Sequence, residues 1–395
     1  MKFICDSLFL FGSLLLAITA VNGQYDIPDL PTPYVPPPRD YIDDFKLLHD
    51  ELDKPMNGIV RTYYIAADEV VWDYAQESKT NELPKDPSLS IWTTASSTTL
   101  GSKYYKALYR EYSDETFSTL VERPHWQGAM GPILRAEVGD TIVIHFWNRA
   151  SYNFTLHPHI YQGVLYEFEM EGAVYKGATE ESSIAPGHNY TYSWKALPRA
   201  GPGPNDGNSL VWGYHSHQFK SNNPHYISYA GLFGAIVIYR PGKLTKEAVS
   251  EEVVTALFGS DENLSPYLTR TIKELGPQLD ISGIQKDRTT RHAFYRSNVK
   301  QSINGIMYSS PSDLVVSRSS LTQWHLLGWG SFLDMHDVSW DNASVLMYGQ
   351  KVENVKLFPA SFRTVQVQAT DKRGSFGLLK GKLAGHGMIM EFDTK

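Results

Sequence analysis

Two short stretches of this chain carry residues that can do chemistry. "FTLHPHIYQG" (154–163) sets His157 and His159 on either side of a proline, and "YHSH" (214–217) holds His215 and His217. On a β-strand, residues i and i+2 face the same side. Each H-x-H pair therefore projects its imidazoles together, and two such strands in one sandwich can bring four to one place. Imidazole is a good ligand for copper and zinc, and copper heads the divalent affinity order. A solitary strand histidine is most often structural. Two H-x-H pairs, each beside aromatics, point instead to a metal site. No thiolate is at hand, because the single cysteine of the 395 residues is Cys5.

Cys5 lies in a segment of its own. "MKFICDSLFLFGSLLLAITAVNG" (1–23) has a lysine near its start, an apolar core from Leu8 to Ala17 and small residues at Ala20 and Gly23. This is the layout of a cleaved secretory signal. It predicts a secreted, extracellular protein that has no thiol once the signal is removed. No later apolar run is long enough for a transmembrane anchor. Secreted domains commonly use disulfides; these must hold by core packing. Four N-x-S/T sequons, at Asn153, Asn189, Asn263 and Asn342, fit an exported glycoprotein. A formal net charge of −7 offers no basic face and excludes nucleic acid as a partner.

The elements that must position the histidines are strands. Residues 24–57 form a Pro-rich N-terminal segment with six prolines between 27 and 40, followed by "DYIDDFKLLHDELDKP", which reads as a short helix. From Gly58 onward the chain is rich in β-branched and aromatic residues. "GPILRAEVGDTIVIHFWNRA" (131–150) reads as strand, Gly-Asp turn, strand, and "DLVVSRSSLTQWHLLGWG" (313–330) echoes it. "LFPASFRTVQVQA" (357–369) likewise echoes "SIAPGHNYTYSWKA" (183–196). "KLTKEAVSEE" (243–252) reads as a polar linker and "SPYLTRTIKEL" (265–275) as a short helix. The prediction is an all-β chain of two tandem sandwiches with Greek-key-like connections, residues 58–242 and 243–395.

A set of motifs in order narrows this further: "YYIAADEVVWDYA", "KALYREYSDETF", "GPILRAEVGDTIVIHFWNRA", "LHPHIY", "DGNSLVWGYHSH", "GLFGAIVIY", "INGIMY", "DMHDVSW" and "LFPASF". From about Gly58 to its end the chain resembles the first third of the multicopper oxidases of the ceruloplasmin and hephaestin type. Those proteins share A-type domains with clotting factors V and VIII. The resemblance implies two cupredoxin-like domains and a copper cofactor. It also implies roles within a trinuclear cluster. His157 would ligate the type 2 copper, His159 and His215 one copper of the type 3 pair, and His217 the other.

The second half departs from that pattern. Where the family's terminal domain supplies an H-x-x-H-x-H run, this chain has "HDVSWD", with His336 followed by Ser339 and Asp341. Where it supplies H-C-H, this chain has Lys380-Gly381-Lys382. His336, His386 and Met388 look like remnants of a type 1 site, which needs a cysteine, and read slightly better as core residues. Asn342 beside Asp341 would crowd that face if glycosylated. Glu180 and Glu181 lie where the family has a calcium-holding loop, but the loop here is short and lacks its aspartates, so a solvated acidic loop is preferred to calcium. His225 reads as a surface residue.

Three functions follow. The first is a secreted copper-binding protein with half of the trinuclear ligands and no type 1 site. The second is a ferroxidase-like oxidase, taking iron, that works only with ligands from another subunit. The third is a non-catalytic extracellular module that binds another protein or the matrix.

Overall fold

Burial alternates along the first long strands as an amphipathic sheet requires. In "TIVIHFWN" (141–148), Ile142, Ile144 and Phe146 are buried while the residues between them are half-exposed. The computed structural model describes residues 58–76, 87–159, 183–216, 229–329, 335–380 and 386–395. The predicted signal, the Pro-rich segment, the helix expected after it, His217, His225, Glu180, Glu181, Gly381 and Lys382 lie outside the described residues. All described residues belong to one compact unit, Glu51–Lys395.

The first eight strands are β1 (Val60–Asp73), β2 (Lys103–Tyr112), β3 (Ile133–Glu137), β4 (Thr141–Asn148), β5 (His157–His159), β6 (Asn189–Lys195), β7 (Ser209–His215) and β8 (Phe233–Tyr239). They form two sheets, ordered β2-β1-β4-β6 and β3-β8-β7-β5. Eleven more follow: β9 (Glu252–Asp261), β10 (Val299–Ile303), β11 (Val315–Val316), β12 (Thr322–Trp329), β13 (His336–Asp341), β14 (Ala343–Met347), β15 (Gln350–Val352), β16 (Asn354–Leu357), β17 (Ser361–Ala369), β18 (Arg373–Gly377) and β19 (Ile389–Thr394). Their sheets are ordered β10-β9-β12-β17-β14-β15 and β11-β19-β18-β13-β16.

These orders repeat. The pairing β2-β1-β4-β6 recurs as β10-β9-β12-β17, and β3-β8-β7-β5 as β11-β19-β18-β13. The parallel pairs recur too: β1 with β4 and β9 with β12, then β3 with β8 and β11 with β19. The faint internal echoes of the sequence are thus a duplicated sandwich, and the chain is two tandem cupredoxin-like Greek-key sandwiches.

Three local features go beyond the sequence reading. The echoing segments 131–150 and 313–330 each hold the two expected strands, and the two enter opposite sheets, β3 from β4 and β11 from β12. At the first bend, Gly139 takes φ +102° and the Asp140 carboxylate accepts from the Glu137 and Ile59 N–H groups at 2.8 and 2.9 Å. This turns the chain across the sandwich instead of back along it. Second, the predicted linker 243–252 contains a helical turn, α1 (Lys246–Ser250), capped where Thr245 Oγ1 accepts from Ala248 N at 3.2 Å, and Glu252 already opens β9. Third, beside the expected helix α2 (Leu268–Leu275) stand α3 (Ile281–Lys286) and α4 (Arg288–Ser297). Asp280 and Asp287 cap these two helices by accepting from Gly283 N and Thr290 N.

The sandwiches share a core. β8 is buried along its whole length. Its alternate residues Ile236 and Ile238 join Phe146, Tyr192 and Tyr214 inside the first sandwich. Phe233, Ala235 and Val237 instead pack with Val253, Phe258 and Trp329 of the second. A strand buried on both faces reads as a continuous apolar run, which is what "LFGAIVIY" is. Truncating such a side chain, Phe233→Ala for example, is expected to cost about 3–5 kcal/mol.

Candidate metal centre

Tyrosines from the opposite sheet and from within the sandwich fix the strands that carry the H-x-H pairs. Tyr109 of β2 donates its hydroxyl to the Thr155 carbonyl, and the Leu156 N–H donates to Tyr192 Oη at 3.1 Å. Thr155 N–H donates to Ser216 Oγ at 3.0 Å, tying the start of β5 to the end of β7. Tyr214, between His215 and Gly213, donates to the Pro132 carbonyl at 2.7 Å. Burial raises the Tyr192 and Tyr214 phenols far above the usual tyrosine range, so both stay protonated.

These struts bring one residue of each pair together. In the antiparallel β5–β7 ladder, His157 stands directly opposite His215. Their ring centroids are 5.4 Å apart at an interplanar angle of 71°, and the residues are 4% and 9% exposed. His215 Nδ1 lies 2.9 Å from the Ser216 carbonyl. A carbonyl only accepts, so Nδ1 carries the proton and Nε2 is the ring nitrogen that can ligate a metal. Fixing a tautomer by its other nitrogen is the usual support of a metal-bound imidazole. A metal–nitrogen distance of about 2 Å places two rings that share an ion roughly 4.5–6.5 Å apart, and the observed spacing falls inside that range. The donor set fits copper. His159 follows on β5, opposite Gly213.

The second sandwich contributes a wall to this pair. Trp329, at the end of β12, has its ring 5.4 Å from that of His215 at 64°. A Cβ at Gly213 would fall 2.4 Å from Trp329 Cζ2 and 2.8 Å from Phe362 Cε1, so only glycine fits there. Sequence reasoning did not single out Trp329. The available signal was Gly213 itself, since a glycine inside a strand often marks close approach by another group.

The duplicated strands do not repeat the ligands. Where the first ladder sets His157 opposite His215, the matching β13–β18 ladder sets Ser339 opposite Gly377 and Asp341 opposite Ser375. His336 is buried at the head of β13, opposite Leu357. Met388 is fully buried, and its carbonyl accepts from Leu378 N at 2.9 Å. The His386 ring lies 4.9 Å from Trp92, and its pKa is lowered by burial and by Arg296. Lys380 is exposed. Among the described residues no group of three or more His, Cys, Asp or Glu side chains is placed to hold a metal. The donor set of the second sandwich, with no cysteine among residues 6–395, does not fit a type 1 copper.

The sequons differ in setting. Asn153, Asn189 and Asn342 are exposed, whereas Asn263 is half-buried and donates to Asp261 Oδ1 and the Tyr295 carbonyl at 2.7 and 2.8 Å.

Comparison with known proteins agrees with this geometry. Residues 126–243, which span both H-x-H strands, match the multicopper oxidase family. The chain is 36% identical over 324 residues to Ferroxidase HEPHL1 of Homo sapiens, covering 79% of this chain and 27% of that protein. It is 34% identical over 307 residues to Ceruloplasmin of Homo sapiens, covering 76% of this chain and 28% of that protein. It thus spans a little over a quarter of these relatives' length. Among solved structures, a copper nitrite reductase from Nitrosomonas europaea superposes with a TM-score of 0.51 at 13% identity, covering 85% of this chain and 94% of that one, which is a likeness of fold. Copper is the metal that this kinship implies. The chain is a relative of the ceruloplasmin- and hephaestin-type multicopper oxidases and carries a multicopper oxidase domain over residues 126–243.

Proposed function

We propose that this chain is an extracellular copper-binding protein that keeps half of a trinuclear copper site and does not oxidise iron unaided. The observation that carries this reading is the facing pair of buried imidazoles, His157 and His215, set against a β13–β18 ladder that pairs Ser339 with Gly377 and Asp341 with Ser375. His159 and His217 complete the ligand set of the domain spanning 58–242. The domain spanning 243–395 is a degenerate partner whose His336, His386 and Met388 serve as packing residues.

Bound copper would supply redox chemistry. The residues derived above do the rest: the Ser216 carbonyl holds the His215 proton on Nδ1, and Tyr109 and Tyr192 hold the strand that carries His157. The segment 1–23 acts as an export signal, and the exposed sequons carry glycan. No helix among the described residues is long and apolar enough to cross a membrane.

A second reading has support of its own. The chain covers only 27% of Ferroxidase HEPHL1, so the other half of a trinuclear site can come from outside these residues. The chain would then take part in ferroxidase-like turnover only with that complement. Metal analysis of the purified chain, followed by ferrous-iron oxidation assays, separates the two. Tightly held copper without oxygen uptake is the expected result. Uptake that scales with the chain alone and vanishes in His157→Ala would contradict it. A chain that holds no copper would leave a purely structural or adhesive module.

A further inference from the structure

The His215 ring is held on three sides. Its Nδ1 is fixed 2.9 Å from the Ser216 carbonyl, His157 faces it at 5.4 Å, and the Trp329 edge meets it at 5.4 Å and 64°. The first two contacts come from the first sandwich. The third comes from the second, which has no matching histidine ladder of its own.

Trp329 is in turn wedged. Its ring lies 5.6 Å from Phe362 at 70°, and Phe362 lies 6.4 Å from Trp212 on β7. On the other side the indole overlies the bare backbone of Gly213, where one added carbon would sit 2.4 Å from it. The residue is 8% exposed. These contacts confine the indole, and through it the imidazole packed against it.

We propose that Trp329 is a positioning residue for the metal on the His157/His215 pair. It holds the His215 imidazole beside His157, so that a sandwich whose matching ladder pairs no histidines sets the affinity and coordination geometry of the site in the other. Gly213 belongs to the same device, because it leaves the space that the indole fills. This inference rests on the reading of His157 and His215 as copper ligands.

The test is a copper(II) titration followed by electron paramagnetic resonance of the bound ion. It compares the unaltered chain with Trp329→Leu, Trp329→Phe, Gly213→Ala and His215→Ala, with thermal melts to confirm folding. Groups that orient a ligand typically govern metal affinity by about 10–100-fold. Trp329→Leu should weaken binding by a factor in that range and alter the copper spectrum. Trp329→Phe keeps an aromatic edge and should restore most of the affinity. Gly213→Ala keeps the indole but displaces it, and should resemble Trp329→Leu. If Trp329→Leu fails to fold, Gly213→Ala gives the same reading. Tight copper lost in His215→Ala, with affinity and spectrum unchanged in Trp329→Leu and Gly213→Ala, would overturn the positioning role and leave the site standing. A lower melting temperature with an unchanged spectrum would also overturn it, since it reduces Trp329 to a packing residue. Tight copper retained in His215→Ala would sink the metal reading beneath it.

Discussion

Arg135 and Glu252 join the two sandwiches through an ion pair between a half-buried guanidinium and a buried carboxylate: Arg135 Nη2 and Nε lie 2.7 and 3.1 Å from Glu252 Oε1. Tyr239 donates to the other carboxylate oxygen, and His325 Nε2 lies 3.5 Å from it. Arg135 and Tyr239 come from β3 and β8, Glu252 and His325 from β9 and β12. Burial pushes the Glu252 carboxyl up, but His325, Arg135 and Tyr239 outweigh it and hold the group at about 2, against 4.5 for an ordinary glutamate. A carboxyl depressed in the folded state adds stability that is full above the unfolded value and is lost as pH falls from 4.5 toward 2. The shift corresponds to roughly 3 kcal/mol. Urea unfolding between pH 6 and about 2 should show stability falling with acid, and Glu252→Gln should flatten that dependence. An unchanged slope in Glu252→Gln would contradict this account.

The sequons should not be used equally. A glycan on Asn263 must break at least one of the two bonds that its Nδ2 makes to Asp261 and Tyr295 in a half-buried site. Peptide mapping of the secreted chain should find glycan on the exposed Asn153 and Asn189 and none on Asn263. Full occupancy of Asn263 would contradict the pairing of its side chain with Asp261 and Tyr295.

Copper added to the chain without its first 23 residues should give no intense blue absorption, because that band needs a thiolate and Cys5 is the only cysteine. Visible spectroscopy at increasing copper should show only weak ligand-field bands. A strong band near that of a blue copper protein would require a sulfur ligand of some other origin.

Copper affinity should fall as pH drops through the imidazole range near ~6.5, since a protonated imidazole cannot ligate. Competition titrations between pH 5 and 8 follow this directly. An affinity constant across that range would point to carboxylate or backbone ligands.

The β-rich fold and its duplication were legible because strand signals are local: β-branched runs, turn glycines and the echo between 131–150 and 313–330. The order of motifs carried the kinship. What the sequence left open was three-dimensional. Nothing in "GPILRAEVGDTIVIHF" says that its two strands enter opposite sheets, because Asp140 accepts bonds from Ile59, some eighty residues earlier in the chain. The aspartate caps of α3 and α4 are a local signal, since Asp280 and Asp287 each stand just before a helix. That each H-x-H pair shares one strand face was legible as spacing, but that His157 faces His215 was not, since the resemblance groups His215 with His159, and neither was the approach of Trp329. That contact joins strands far apart in sequence, and only the bare position at Gly213 hinted at it.

The central claim is that His157 and His215, facing each other across β5 and β7, hold copper. Isothermal titration with copper(II), run on the unaltered chain and on His157→Ala/His215→Ala, tests it most directly. The account predicts a tight, saturable isotherm for the unaltered chain and its loss in the double variant, with both proteins melting cooperatively. Equal tight binding by both proteins, or only loose binding by the unaltered chain, would contradict it.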